Sequence, residues 1–295
     1  MKSLLVTALF LALFPFAPEA NAWDVLVVQR YRAKPYAEVV RGFKSVAPGK
    51  ISELVLEEAS GDGLMREIHR RRPDLILAIG ADALSRVRKF RNIPIIYCMV
   101  LNPDSLLDGG SNTTGISMFV NPERQLSILR QALPTLKTIG TIYNPKKMGF
   151  FVEKARSTAR KMGIRLIAVT VEEAKNFPGA LESLPKVLDA YWMLPDSTFA
   201  SPETVEALIL FSIRTGIPVI TFSEKYLRMG ALISLELDTF ELGRQAGEMA
   251  REIFNGTPPD KIPTASAEQA IATANPSVAT KLGVSLNGTV LKKLP

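Results

Sequence analysis

The sequence predicts an α/β protein built from two similar βαβαβ halves, and three observations carry that expectation. Two short charge-free apolar runs, Leu75 to Ile79 and Ala190 to Leu194, each follow an Asp (Asp74, Asp189) and each end in a small or polar turn, Gly80-Ala-Asp82 and Pro195-Asp-Ser-Thr198. Runs of this length, bounded by turn residues, read as strands buried on both faces. The segments downstream of the two runs are alike: Asn92-Ile-Pro-Ile-Ile-Tyr97 and Gly216-Ile-Pro-Val-Ile-Thr221, then Asn112-Thr-Thr-Gly-Ile-Ser117 and Met229-Gly-Ala-Leu-Ile-Ser234. The upstream segments match too. Asp24-Val-Leu-Val-Val28 leads the first run and Ile139-Gly-Thr-Ile-Tyr143 the second, with 50 residues from Asp24 to Asp74 and 49 from Gly140 to Asp189. Strands alternating with helices in a duplicated order indicate two parallel sheets.

Taken in order, the strand Val25 to Val28 precedes a helix over Tyr36 to Val46, where Tyr36, Val39, Val40 and Phe43 recur at helical spacing. Ile51 to Glu57 alternates as a second strand, Gly61-Asp-Gly63 turns the chain without completing a phosphate loop, and a helix spans Leu64 to Arg71. The strand Leu75 to Ile79 then meets a helix for which Asp82 is the expected N-cap. Ile93 to Val100 is the next strand. Asn121-Pro122-Glu123 supplies an N-cap, a first-turn proline and a first-turn acid for a helix to Leu133, which Pro134 stops. The second half runs through strand Ile139 to Tyr143, helix Phe151 to Met162, strand Ile164 to Val169, a helix near Pro178 to Ser183, and strand Leu188 to Leu194. Helix Pro202 to Thr215, strand Pro218 to Phe222, one helical turn over Glu224 to Arg228 and strand Ala231 to Glu236 come next. Asp238 opens a helix to Phe254 in which Gly243 and Gly247 share a face, marking close approach to another element. The tail is expected to add one strand and a short helix, Pro276 to Leu282.

A chain of 295 residues with 47% hydrophobic and 22% charged residues is long enough for two modest cores. Lys2, the apolar core Leu4 to Phe14 and Ala20-Asn-Ala22 form a secretory leader cleaved before Trp23. Pro15 and Pro18 break the run short of the ~20 apolar residues a membrane span needs, and no Cys follows to carry a lipid. The expected location is the periplasm. Cleavage removes Lys2 and Glu19 and leaves the net charge at +7, spread over helix faces, with no nucleic-acid motif. Cys98 is the single cysteine, so no internal disulfide or thiol metal cluster is available, and His69, the single histidine, is placed on a basic helix, which leaves no Ser–His or Cys–His pairing. Cys98 reads as a buried inert thiol, and His69 as part of a solvated basic helix. No metal or cofactor is expected.

Ligands of parallel sheets bind at the carboxyl ends of the strands, where free backbone N–H groups also favour anions. The turns at those ends give the candidate ligand-binding residues: Tyr31, Gly80, Ala81, Asp82, Asn102, Tyr143, Asn144, Lys146, Asp196, Ser197, Thr198, Glu224 and Asp238. No catalytic residue stands out. A paired-carboxylate hydrolase on Asp196 and Asp238 is the enzymatic alternative, though any two-lobed cleft carries a few acids. Among the aromatics, Tyr143 at a strand end is the better candidate for stacking on a ligand, whereas Trp192 in mid-strand is expected in the core.

Ile139-Gly-Thr-Ile-Tyr-Asn-Pro145, Pro195-Asp-Ser-Thr198, Gly230-Ala-Leu232 and Leu242-Gly-Arg-Gln-Ala-Gly-Glu-Met-Ala250 resemble the ABC-transporter substrate-binding proteins of the type I periplasmic-binding fold. The branch resembled is the one whose better-known members take up aromatic or other amino acids. Pro73-Asp-Leu-Ile76, Asn112-Thr-Thr-Gly115 and Asn275 with Leu282-Gly283 extend the resemblance over almost all of the mature chain. It implies two Rossmann-like lobes joined by three hinge crossings. Residues 23–118 with about 239–265 would form the first lobe, and 119–238 with about 266–295 the second. It also implies a monomer that closes on an amino acid or other carboxylate-bearing solute and delivers it to an ABC permease. A sensor docking on a membrane receptor is the alternative use of the same fold. Asp196, Ser197 and Thr198, with the turns at Gly80 and Tyr143, would face the ligand. One departure stands out. Relatives carry an acid and small polar residues after the Tyr-Asn-Pro motif, whereas this chain has Lys146-Lys-Met-Gly-Phe150, two cations that suit an anionic ligand if they face the cleft rather than solvent. Asp238-Thr239 also replaces the Asp-Tyr usual before the late helix.

Overall fold

The computed structural model describes residues 23–59, 63–101, 103–107 and 109–293, with the side chains of Asp104 and Lys293 excepted. The leader, Gly61-Asp62 and the candidate Asn102 lie outside the described residues.

The first half comprises β1 (Asp24–Gln29), α1 (Lys34–Lys44), β2 (Lys50–Val55), α2 (Gly63–Arg71), β3 (Leu75–Ile79), α3 (Ala81–Val87), β4 (Ile95–Val100) and β5 (Thr113–Val120). The second comprises α4 (Pro122–Ala132), β6 (Thr138–Tyr143), α5 (Pro145–Lys161), β7 (Arg165–Thr170), α6 (Phe177–Ser183), β8 (Ala190–Trp192), α7 (Pro202–Thr215), β9 (Val219–Thr221) and β10 (Ile233–Leu237). The chain then adds α8 (Thr239–Phe254), β11 (Ala265–Ala267), β12 (Ala270–Ala274), α9 (Pro276–Leu282) and β13 (Lys292–Lys293).

Two sheets result, ordered β2-β1-β3-β4-β5-β11 and β7-β6-β8-β9-β10-β12-β13. The first five strands of each share one plan, and every pairing is parallel except β10 with β12. The chain passes between the sheets three times: after β5, between β10 and α8, and between β11 and β12.

The Asp that opens each apolar run latches onto the strand beside it. Asp74 Oδ2 accepts the N–H of Asp24 at 2.8 Å, and Asp189 Oδ2 accepts those of Lys137 and Thr138 at 2.8 and 2.7 Å. The N–H of Asp74 returns to Asp24 O and that of Asp189 to Thr138 O. The structural counterpart of Asp24 is therefore Thr138, two residues before the Gly140 that the sequence spacing matches to it. Hydrogen-bond register decides this, and apolar pattern alone does not.

Each sheet is covered on both faces. In the first, Val25, Val27, Leu75 and Leu77 pack under Val39, Phe43, Leu242 and Ala246 of α1 and α8, while Leu26, Val28, Ile76 and Ala78 pack under Leu64, Ile68 and Leu84 of α2 and α3. Alternate side chains of a strand point to opposite faces, so the uninterrupted apolar runs are explained. Each fully buried Val, Leu or Ile stabilises by roughly 1.5–3 kcal/mol. Helix α8 returns to the first sheet because it is small along one face. A Cβ on Gly243 would strike the carbonyl of Val39, and one on Gly42 the carbonyl of Phe240.

Local signals set most helix ends. Asn121, Ser201, Asn275 and Asp238 accept N–H groups of their own first turns, and Gly216 and Gly283 end α7 and α9 in left-handed conformation. Three expectations need correction. Helix α5 starts at Pro145 under an Asn144 cap rather than at Phe151, because Lys146, Lys147 and Gly149 mask its apolar stripe. Asp82 does not cap α3: Gly80 occupies that position with φ +91°, and Asp82 pairs with Arg30 instead. The tail forms three strands rather than one, each short enough to resemble a loop.

Candidate ligand-binding cleft

Between the two sheets lies a cavity of about 780 Å³. Its floor is two neighbouring strands of the crossings, β5 with Ser117 and Phe119 and β11 with Ala265 and Ser266. One wall is the end of β4, where pairing with β5 slips between Tyr97 and Val100 and Met99 takes φ +57°. The chain leaves the sheet there as Leu101 and Pro103, both lining the cavity. The opposite wall is the start of α5, Pro145 through Phe151 with Lys154, and the β8–α7 turn at Pro195 and Ser197.

That second wall is held from beneath. Asp196 is 2% exposed; its Oδ2 accepts the N–H of Asn144 at 2.7 Å and its Oδ1 that of Thr198 at 2.9 Å. Asn144 in turn accepts the N–H of Lys146 at 3.0 Å and donates through Nδ2 to Glu172 O and Thr198 Oγ1. The Asn-Pro and Asp-Ser-Thr motifs thus clasp each other across two strand ends and fix the helix start. Above the clasp, Lys147 Nζ donates to Ser197 Oγ at 2.9 Å. Lys146 Nζ turns to Glu172 at 2.6 Å, and that hydrogen bond and charge raise the pKa of Lys146. Lys154 stands two turns along the helix from Lys147, and neither makes an ion pair among the described residues.

The predicted site residues therefore divide. Lys146 and Ser197 line the cavity. Asn144, Asp196 and Thr198 form the clasp beneath it. Tyr143 is 6% exposed and packs in the core with Phe151 and Trp192, so it offers a ligand no ring face. Tyr31, Gly80, Ala81 and Asp82 gather at the ends of β1 and β3. There Arg30 bridges Glu57 and Asp82 at 3.0 and 3.1 Å, and Tyr31 stacks on Tyr36 with ring centroids 5.5 Å apart. Only glycine fits at position 80, where a Cβ would come within 2.6 Å of the Tyr36 hydroxyl. Burial, with the neighbouring Tyr31, pushes the Tyr36 hydroxyl up to about 12. Glu224 accepts the Thr273 hydroxyl at 2.7 Å and gives its N–H to Glu236, and Asp238 caps α8. None of these six lines the cavity.

Phe119, Phe150 and Lys154 line the cavity and were not among the sequence candidates. A signal existed: Lys147, Phe150, Phe151 and Lys154 fall at i, i+3, i+4 and i+7 on one face of α5. Phe119 and Phe151 lie 5.7 Å apart, and Phe151 and Trp192 5.6 Å, a chain of rings from the cavity into the core. Among the described residues, no group of three or more His, Cys, Asp or Glu could hold a metal, and no helix is long and apolar enough to cross a membrane.

The family model of ABC transporter substrate binding proteins matches residues 57–294, the greater part of the chain and all of this cavity wall. The chain belongs to that family. A relative among binding proteins, the tyrosine-binding protein of Clostridioides difficile (strain R20291), is 26% identical over 205 residues, 66% of this chain and 59% of that protein's own length. The ligand-free, open structure of a substrate-binding protein with adhesive properties from Clostridium difficile covers 92% of this chain and 99% of its own, at 20% identity and a TM-score of 0.68. A Streptococcus pneumonia ABC domain in complex with L-Trp covers 91% and 97%, at 19% identity and a TM-score of 0.54. The two sheets and their crossings are those of the type I periplasmic-binding-protein fold.

Proposed function

We propose that this protein is an exported solute-binding protein that captures a small polar ligand between its lobes and delivers it to an ABC permease. The observation that carries the reading is the placement of the cavity. It is floored by strands of the crossings and walled by turns from both sheets, so bending at the crossings changes its width without unpacking either core. The lobes are read as residues 23–118 with about 239–265, and 119–238 with about 266–295. The family is a substrate-binding one, and a binding role also suits the acids: both oxygens of buried Asp196 hold backbone N–H groups and Asp238 caps a helix through Oδ1, so each has a structural task.

The leader is read as cleaved after Ala22, which N-terminal sequencing of the exported protein tests. Ligand capture is tested by melting the mature chain against a panel of amino acids, carboxylates, short peptides and nucleosides. A ligand should raise the melting temperature and reduce the radius of gyration in X-ray scattering. No shift with any solute class would defeat the reading. Amino acids stay on the panel because a relative is named for tyrosine and a structural neighbour holds L-Trp.

A further inference from the structure

We infer that the ligand of this cleft is an organic carboxylate on an apolar, ring-sized frame that carries no ammonium group, with Lys147 and Lys154 as its counter-charges. The inference rests on the solute-binding reading and names the class of solute.

Charge comes first. Lys146, Lys147 and Lys154 line the cavity, and among the described residues lining it none is Asp or Glu. The nearby acids are engaged elsewhere: Glu172 with Lys146, and Asp196 with the backbone of Asn144 and Thr198 beneath the wall. Among the described residues Lys147 has the neutral Ser197 hydroxyl as its partner and no ion pair, so no carboxylate there compensates its charge. Lobes closing over Lys147 and Lys154 strip them of water, which is unfavourable unless an anion enters with them. A zwitterionic amino acid brings the anion but also an ammonium, which would be desolvated beside two cations with no carboxylate among the described lining residues to receive it.

The shape of the lining agrees. Seven residues of helix place Lys147 and Lys154 about 10 Å apart along α5, with Phe150 and Phe151 between them. Phe150 is 89% exposed and Leu101 on the facing wall 46% exposed, and Phe119 completes an apolar surface across the floor. Large apolar side chains bare to water inside a cleft are stabilised when an apolar ligand body covers them.

The test keeps one phenylalkyl frame and varies its charged groups: phenylpropionate, L-phenylalanine and phenethylamine, titrated calorimetrically into the mature protein. Phenylpropionate should bind at least tenfold more tightly than phenylalanine, and phenethylamine should not bind. K147A and K154A, both exposed and free of structural bonds to the core, should keep the melting temperature of the unliganded protein and each weaken phenylpropionate at least tenfold. Asp104 adjoins Pro103 in the sequence, so D104N is the control and should leave the preference unchanged. Equal or tighter binding of phenylalanine, or lysine variants without effect, overturns the inference. So does absence of phenylpropionate binding; if another solute on the wider panel still binds, the solute-binding reading stands without it.

Discussion

Asp196 Oδ2 accepts the backbone N–H of Asn144 at 2.7 Å, joining the end of β6 to the end of β8. Its other oxygen holds Thr198, and the residue is buried. D196A leaves two donors without their acceptor, and a lost buried partner of this kind costs about 1–3 kcal/mol. Urea unfolding of the unliganded protein should show that loss. A side chain whose role was ligand contact would leave the unliganded stability unchanged.

Gly243 and Gly247 grade the contact between α1 and α8. G243A drives a Cβ into the carbonyl of Val39 and should destabilise by about 1–3 kcal/mol. At Gly247 the new Cβ would lie 3.0 Å from Phe43 O and 3.2 Å from Ala47 N and Val46 Cβ, a far smaller overlap than at Gly243, and alanine regains up to ~1 kcal/mol of helix propensity. G247A should therefore lie well above G243A in thermal melting. Equal losses would show that the two helices do not meet at Val39.

Tyr36 supplies a pH dependence. Its hydroxyl rises from 10.0 to about 12 on folding, first through burial and then through Tyr31. The folded protein then holds a proton that the unfolded chain releases, so this stabilisation is complete below pH 10 and is lost as the pH rises toward 12. Y36F should flatten the fall in stability across that window. It should also remove one late-titrating component of the phenolate ultraviolet signal.

Cys98 lies in the middle of the first sheet, fully buried, and burial pushes its thiol above the usual range. The native protein should not react with an aromatic disulfide reagent at neutral pH, and one thiol should appear on unfolding. Rapid labelling of the folded protein would contradict the placement of β4.

Much of the fold was legible because its signals are local. Leu75 to Ile79 is a strand over the residues that its apolar run marks, and α7 and α9 begin and end where Ser201, Gly216, Asn275 and Gly283 place them. Caps, breakers and periodicity act within a turn of the residue concerned, so one stretch of chain carries them. Gly243 and Gly247 announced a close contact for a similar reason, since a missing side chain on one helix face is itself the contact surface. Their partner, Val39, was not legible.

The site was legible only in part. Sequence by itself determined the duplicated halves, the strand ends that carry polar turns and the two cations after Asn144. It could not say that Asp196 turns inward to a backbone amide 52 residues away, or that Tyr143 lies in the core rather than in the cleft. Nor could it say which face of α5 looks across at Leu101 and Phe119. Those are decisions of tertiary packing: a side chain's exposure depends on what a distant segment lays over it, and no local pattern encodes that distance.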